Sequence, residues 1–130
     1  MRIRPYIQGD VIEVIGKDLM IKFEIPFVDS IDSGLAWTFL NGDYFIVGVG
    51  GFRRFWSGVY EGWLAARSYE VFFQHKLQVI KFIKNQITKL NAHRIQATIL
   101  SDSSRDRSFV EFLGFHYEAT LLSYGPDKKN

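Results

Sequence analysis

The chain has 130 residues, 47% of them hydrophobic and 16% aromatic, with a formal net charge of +2 and no cysteine. That is the length of a single domain, residues 1–130, with apolar content enough for its own core. Without cysteine, disulfides, thiolate zinc sites and cysteine nucleophiles are excluded.

Arg2 to Ile7 reads as a first strand, and Asp10 to Ile15 as a short helix capped by Asp10. Phe23 to Ser33, around Pro26, is irregular with helical turns. Leu35 to Leu40 and Tyr44 to Val49 are strands joined by Asn41-Gly42-Asp43, a tight-turn signal. Gly48, Gly50 and Gly51 then suggest that the strand bends or ends. Val59 to Ala65 is a further strand. The period changes to helical over Phe72, Val79, Ile80, Ile83, Ile87 and Leu90, the longest helix of the chain. Arg94 to Leu100 alternates as a strand. Phe109, Phe112 and Leu113 mark a short helix that stops at Gly114, and Phe115, Tyr117, Ala119 and Leu121 alternate as a last strand. Gly125-Pro126 breaks the chain before a polar tail. The order is an α+β plan, with a mixed, mostly antiparallel sheet and one long helix joining two neighbouring strands.

No run approaches the ~20 apolar residues of a membrane span. No signal-type run follows Met1-Arg2-Ile3-Arg4. The expectation is a soluble protein of the cytoplasm with no membrane partner. Residues 51–100 hold eight basic and two acidic residues, a local charge of +6. This reads as a solvated helix face or as an anion-facing segment. RNA-binding aromatic motifs and zinc-finger spacings are missing, which disfavours nucleic acid. His75, His93 and His116 lack metal-ligand spacing, so no metal is expected. Ser57 has no hydrolase motif around it.

The helix–glycine–strand junction Leu113-Gly114-Phe115, together with the order of elements, resembles the GCN5-related N-acetyltransferase (GNAT) superfamily. Within it, Glu61-Gly62-Trp63 and the ending Leu122-Ser123-Tyr124-Gly125-Pro126-Asp127 look like a group of small tailed-phage and prophage proteins that includes an internal virion protein. The resemblance implies a GNAT-like fold, with the final strand missing or shortened, and acetyl-CoA as the acyl donor. It also implies a host-cytoplasmic or virion location and phage structural proteins as partners. A bare edge on the sixth strand, left by the short tail, suggests a homodimer.

The resemblance also assigns the site. Trp63, Leu64 and Ala65 occupy the strand that pairs with the pantetheine arm, with the Ala65 amide polarising the thioester carbonyl. The diphosphate loop falls at Tyr69 to Gln74, where Phe72 and Gln74 stand in place of the family's small residues. Arg67, His75 and Lys76 compensate by charge. Glu61 is placed as the general base, or else as an ion-pair partner of Arg53 or Arg54. Ser103 replaces the asparagine common at the short helix's start, and Val110 replaces the acid tyrosine. Two function classes follow: a protein that keeps the fold with weak or no acetyl transfer, and an active N-acetyltransferase using Glu61.

Overall fold

The computed structural model describes residues 1–16, 30–99 and 103–123. The turns expected before Ser30, Leu100, and the tail from Tyr124 onward, with any final strand there, lie outside the described residues. The chain divides into two compact units, Met1–Ile95 and Gln96–Asn130.

Five strands form one sheet in the order β1 to β5: β1 (Arg2–Pro5), β2 (Ala36–Asn41), β3 (Phe45–Trp56), β4 (Val59–Ala66) and β5 (Arg94–Gln96). The first three junctions are antiparallel. Helix α1 (Asp10–Ile15) and a 3-10 turn at Ser33–Leu35 precede β2, while α2 (Glu70–Gln74) and α3 (Lys76–Leu90) separate β4 from β5. This is the α+β architecture read from the sequence. The turn between β2 and β3 falls at Gly42, whose φ of 80° is the left-handed value such a turn demands.

The glycines expected to bend or end the third strand do not end it. β3 runs twelve residues, through to Trp56. Its glycines mark close approaches. A Cβ on Gly48 would lie 2.8 Å from the Phe72 ring, and one on Gly50 would lie 2.9 Å from Leu64. A strand glycine reports another atom pressing on the backbone as readily as it reports an end. The β2–β3 register slips between Phe39 and Leu40, leaving Val47 as the extra residue of a bulge.

The sheet is covered on both faces. On one, Phe39 meets Phe72 edge-on at 5.2 Å, and Trp37 meets Phe82 at 5.3 Å. Phe72 and Val79 are each 1% exposed there. One helix was expected from Phe72 to Leu90. The structure breaks it at His75 (φ −112°, ψ 33°), separating the turn that carries Phe72 from the helix that carries Val79 and Phe82. On the other face Tyr6, Val11, Ala36, Leu40, Ile46 and Val49 form a buried cluster, joined by Trp63 and Ala65.

Asp10 begins α1 without capping it in the expected way. The N-cap is Gly9. The Asp10 carboxylate instead accepts from Arg4 at 2.8 and 3.2 Å, from Thr38 Oγ1 at 2.6 Å and from the Ile7 amide at 2.9 Å. Burial pushes this carboxyl up. The bonds from Arg4, Thr38 and Ile7 outweigh burial and hold it below the ordinary carboxylate range.

In the second unit, α4 (Ser104–Phe112) buries Phe109, which lies 5.7 Å from the Phe112 ring. Gly114 (φ 101°) closes the helix. The Phe115 amide donates to Val110 O and the Gly114 amide to Glu111 O, the paired bonds of a Schellman motif. Residues 115–121 form no strand, which corrects the sequence expectation. Their alternation puts no side on a core: Tyr117 is 77% and Leu121 48% exposed. Alternation predicts a strand only where a neighbour supplies the ladder. The dimer inferred from a sixth-strand edge loses its basis with that strand.

Candidate active site

β4 has eight residues and β5 three. The two strands meet at their starts, where the His93 and Arg94 amides both donate to the Gly58 carbonyl, at 2.9 and 3.1 Å. Among the described residues, no further strand runs along the rest of β4 on that side. A long strand beside a short one leaves a row of peptide groups facing outward, which is what an extended ligand arm pairs with.

The phase of the β3–β4 ladder decides which groups these are. Arg67 N donates to Val47 O at 2.9 Å just beyond the ladder. Val49 faces Ala65 two residues along, so that pair is also hydrogen-bonded, while Gly48–Ala66 and Gly50–Leu64 are the alternate, non-bonded pairs. The Ala65 amide therefore points at β3. The amides of Leu64 and Ala66 point to the outer edge. The Ala65 amide, expected from the resemblance to polarise the thioester carbonyl, faces β3 in this register, and the outward amides are those of Leu64 and Ala66. That phase is set by the register and has no signal in the sequence. The side chains of Trp63 and Ala65 pack on the α1-side cluster, and Leu64 lies over Gly50 on the opposite face.

The segment after β4 departs from the expected diphosphate cradle. Arg67 is engaged within the fold: its Nε donates to Ile46 O at 2.8 Å, its Nη2 donates to Glu13 O, and its guanidinium lies 5.2 Å from the Phe45 ring centre. It ties the end of β4 to β3 and α1, where the resemblance had it compensating by charge at the diphosphate. Phe72 fills the space above Gly48, and the Glu70–Gln74 stretch is helical instead of an open loop. Lys76 is exposed at the first position of α3, whose N-cap His75 makes no side-chain cap. It stands where the helix's positive end would add to its charge.

Glu61 pairs with Arg53 across the β3–β4 ladder, Oε1 to Nη2 at 2.8 Å, with the Glu61 side chain 13% exposed. Of the two readings of Glu61, the ion-pair partner is the one present in this geometry. Glu61 shares its strand face with Trp63 and Ala65, two and four residues on.

A cavity of about 220 Å³ opens beside this pair, lined by Ser30, Ile31, Asp32, Leu35, Phe52, Arg53, Arg54 and Trp63. Its walls come from the residues before and within the 3-10 turn and from the consecutive strands β3 and β4. Ser103 belongs to the second unit, where its Oγ accepts from the Asp106 amide at 3.2 Å. It is the N-cap of α4. This local need accounts for a serine at the position that the resemblance assigns to the cofactor. Among the described residues, no group of three or more histidine, aspartate or glutamate side chains could hold a metal ion. No helix there is long and apolar enough to cross a membrane.

Solved structures with the same arrangement include acetyltransferases. Ard1 from Thermoplasma volcanium superposes with a TM-score of 0.70 at 13% identity, covering 98% of this chain and 90% of its own. The fold is that of the GNAT acetyltransferases. A GNAT-family acetyltransferase from Bacillus anthracis gives 0.66 at 18% identity, over 90% of this chain and 80% of that one. Rv2747 from Mycobacterium tuberculosis, solved in complex with CoA, gives 0.60 at 16%, over 92% and 75%. No protein-family sequence model and no curated protein sequence matches the chain.

Proposed function

We propose that this chain binds an acyl-CoA-type thioester by its pantetheine arm along the outer edge of β4 and transfers the acyl group weakly to a small amine. The observation that carries this reading is the edge itself: β4 outruns β5, and the ladder phase turns Leu64 and Ala66 outward. The mycobacterial structural neighbour was solved in complex with CoA, which supports CoA as the class of ligand. The GNAT-like cradle is only half kept. The arm has its edge, but the diphosphate has Lys76 and the start of α3 in place of a glycine loop. A side chain as large as Phe72 prevents close backbone approach at its own position.

The donor, when bound, supplies an activated acyl carbon. The outward amide of Leu64 or Ala66 donates to the thioester carbonyl oxygen and stabilises charge developing there. Glu61, still bonded to Arg53, receives the proton the attacking amine releases. A C–N bond forms and the C–S bond breaks. The thiolate takes its proton from water, since Val110 stands where the family places a tyrosine and has no proton to give.

Amide-resolved NMR tests the reading. Titrating acetyl-CoA should shift the Leu64 and Ala66 resonances more than that of Ala65. Unmoved β4 resonances at millimolar ligand contradict it.

A second reading has its own support. Phe72 in the diphosphate segment and Val110 in α4 suit a protein that keeps the scaffold without turnover. The Glu61-Gly62-Trp63 resemblance would then place it among phage or prophage proteins, in host cytoplasm or virion, with phage structural proteins as partners. Binding without thiol release in the presence of amines would select this reading.

A further inference from the structure

The start of β5 meets β4 in a way that a regular ladder does not. Successive peptide groups along a strand point to opposite sides. Yet the His93 and Arg94 amides both donate to the Gly58 carbonyl, at 2.9 and 3.1 Å. Two neighbouring amides on one oxygen are the mark of a bulge, which bends a strand and ends its pairing. The His93 ring packs onto the same residue. A Cβ on Gly58 would lie 2.6 Å from the ring's Cε1, so only glycine admits the imidazole there. Gly58 also holds a φ of 79°, the left-handed value, in the two-residue turn between the paired Trp56 and Val59. Among the described residues the imidazole takes part in no hydrogen bond or salt bridge, so what it gives Gly58 is shape. His93 is itself exposed, and its removal leaves no hole in the core. β5 lies on the side of β4 away from β3, so the Gly58 carbonyl and the Leu64 and Ala66 amides belong to one outer edge. β5 takes the start of that edge and stops after three residues.

Resting on the acyl-transfer reading above, we propose that His93 is a positioning residue for the thioester arm. Its ring, seated on Gly58, locks the bulge that turns β5 off the edge of β4. Without that lock, β5 competes with the ligand for the same row of peptide groups. The Gly58–His93 contact decides where strand pairing stops and where the ligand's stretch begins. His93 touches neither donor nor acceptor in this role and acts through the course of β5.

The test compares the full chain with His93→Ala, which removes the ring and keeps both amides, and with His93→Phe, which keeps a flat ring. Calorimetry reads acetyl-CoA affinity. Hydrogen exchange by NMR, without ligand, reads the Gly62 and Leu64 amides, which both face the outer edge in the β3–β4 register. His93→Ala should weaken acetyl-CoA binding about tenfold and slow exchange at Gly62 and Leu64 about tenfold, as pairing spreads along the edge. Ala65, bonded to β3, should exchange as in the parent. His93→Phe should bring both readouts back to within about threefold of the parent. Circular dichroism checks that the variants fold, and His93→Ser replaces His93→Ala if the latter does not. A ring of purely structural worth would lower the urea midpoint of His93→Ala and leave affinity and edge exchange at parent values. That result, or a His93→Phe variant that behaves like His93→Ala, overturns the proposal. If the parent binds no acetyl-CoA, the acyl-transfer reading falls. Exchange at Gly62 and Leu64 then decides the role of His93 alone: slowed in His93→Ala it upholds control of the edge, and unchanged it overturns it.

Discussion

Phe72 occupies the space that Gly48 leaves open: a Cβ on Gly48 would lie 2.8 Å from Phe72 Cζ and 3.2 Å from Ala65 O. The two residues are 24 apart in sequence, on a strand and on a helical turn after the next strand. This one contact explains why β3 keeps a glycine mid-strand and why the segment after β4 lacks one.

Gly48→Ala should therefore destabilise the fold by about 1–3 kcal/mol, because neither the ring nor the carbonyl can withdraw freely. Phe72→Ala should cost more, about 3–5 kcal/mol, from lost burial and the cavity left behind. Urea unfolding of both variants checks this. A neutral Gly48→Ala would mean that the ring does not press on the strand.

Arg67→Ala should lower stability by about 1.5–3 kcal/mol, since two carbonyls, of Ile46 and Glu13, lose a charged donor. Its effect on acetyl-CoA affinity should be smaller than that of Lys76→Ala, which leaves the packing intact. Isothermal calorimetry on both variants decides this. A larger affinity loss for Arg67→Ala would return that side chain to the phosphates.

Asp10 gives the fold an acid-sensitive element. Its carboxyl is held below the ordinary range, with the bonds from Arg4, Thr38 and Ile7 outweighing burial. The stabilisation is complete above the unfolded-state value of about 3.9 and is lost as pH falls through the lower folded value. Asp10→Asn should cost about 2–4 kcal/mol at neutral pH, because Arg4 loses its partner beside buried Thr38. It should also flatten the acid limb of a stability–pH curve. An unchanged acid limb would show that other carboxylates set it.

The architecture was legible because it rests on period. The strand-like runs of β2 and β4, the Asn41-Gly42-Asp43 turn and helical spacing through α3 each survive translation into structure. So does Gly114, whose left-handed conformation was required by an abrupt helix end. Features decided by distant partners were not legible. Arg67 reaches Ile46 and Glu13, 21 and 54 residues away, and nothing in its neighbourhood signals either. The strand glycines looked like an end because the sequence cannot show what presses on them. The stretch after Gly114 alternates, yet no ladder forms along it. At the site, Glu61 and β4 were assigned through the family resemblance. The orientation of the β4 amides and the cavity beside Arg54 required the register.

Glu61→Gln keeps the shape of the side chain and removes its capacity to take a proton. If any amine is acylated, this variant should lose nearly all turnover, by about a hundredfold or more. Its far-ultraviolet circular dichroism should match that of the parent. Turnover unchanged by the substitution would leave Glu61 as the ion-pair partner of Arg53 and nothing more.

The central claim is that β4 holds the pantetheine arm while the diphosphate contributes little. Calorimetry comparing acetyl-CoA with S-acetylpantetheine tests it most directly. The account predicts that both bind, with dissociation constants within about tenfold of each other, a difference of about 1.4 kcal/mol. Failure of both to bind at millimolar concentration, or a preference for acetyl-CoA beyond about a hundredfold, would contradict it.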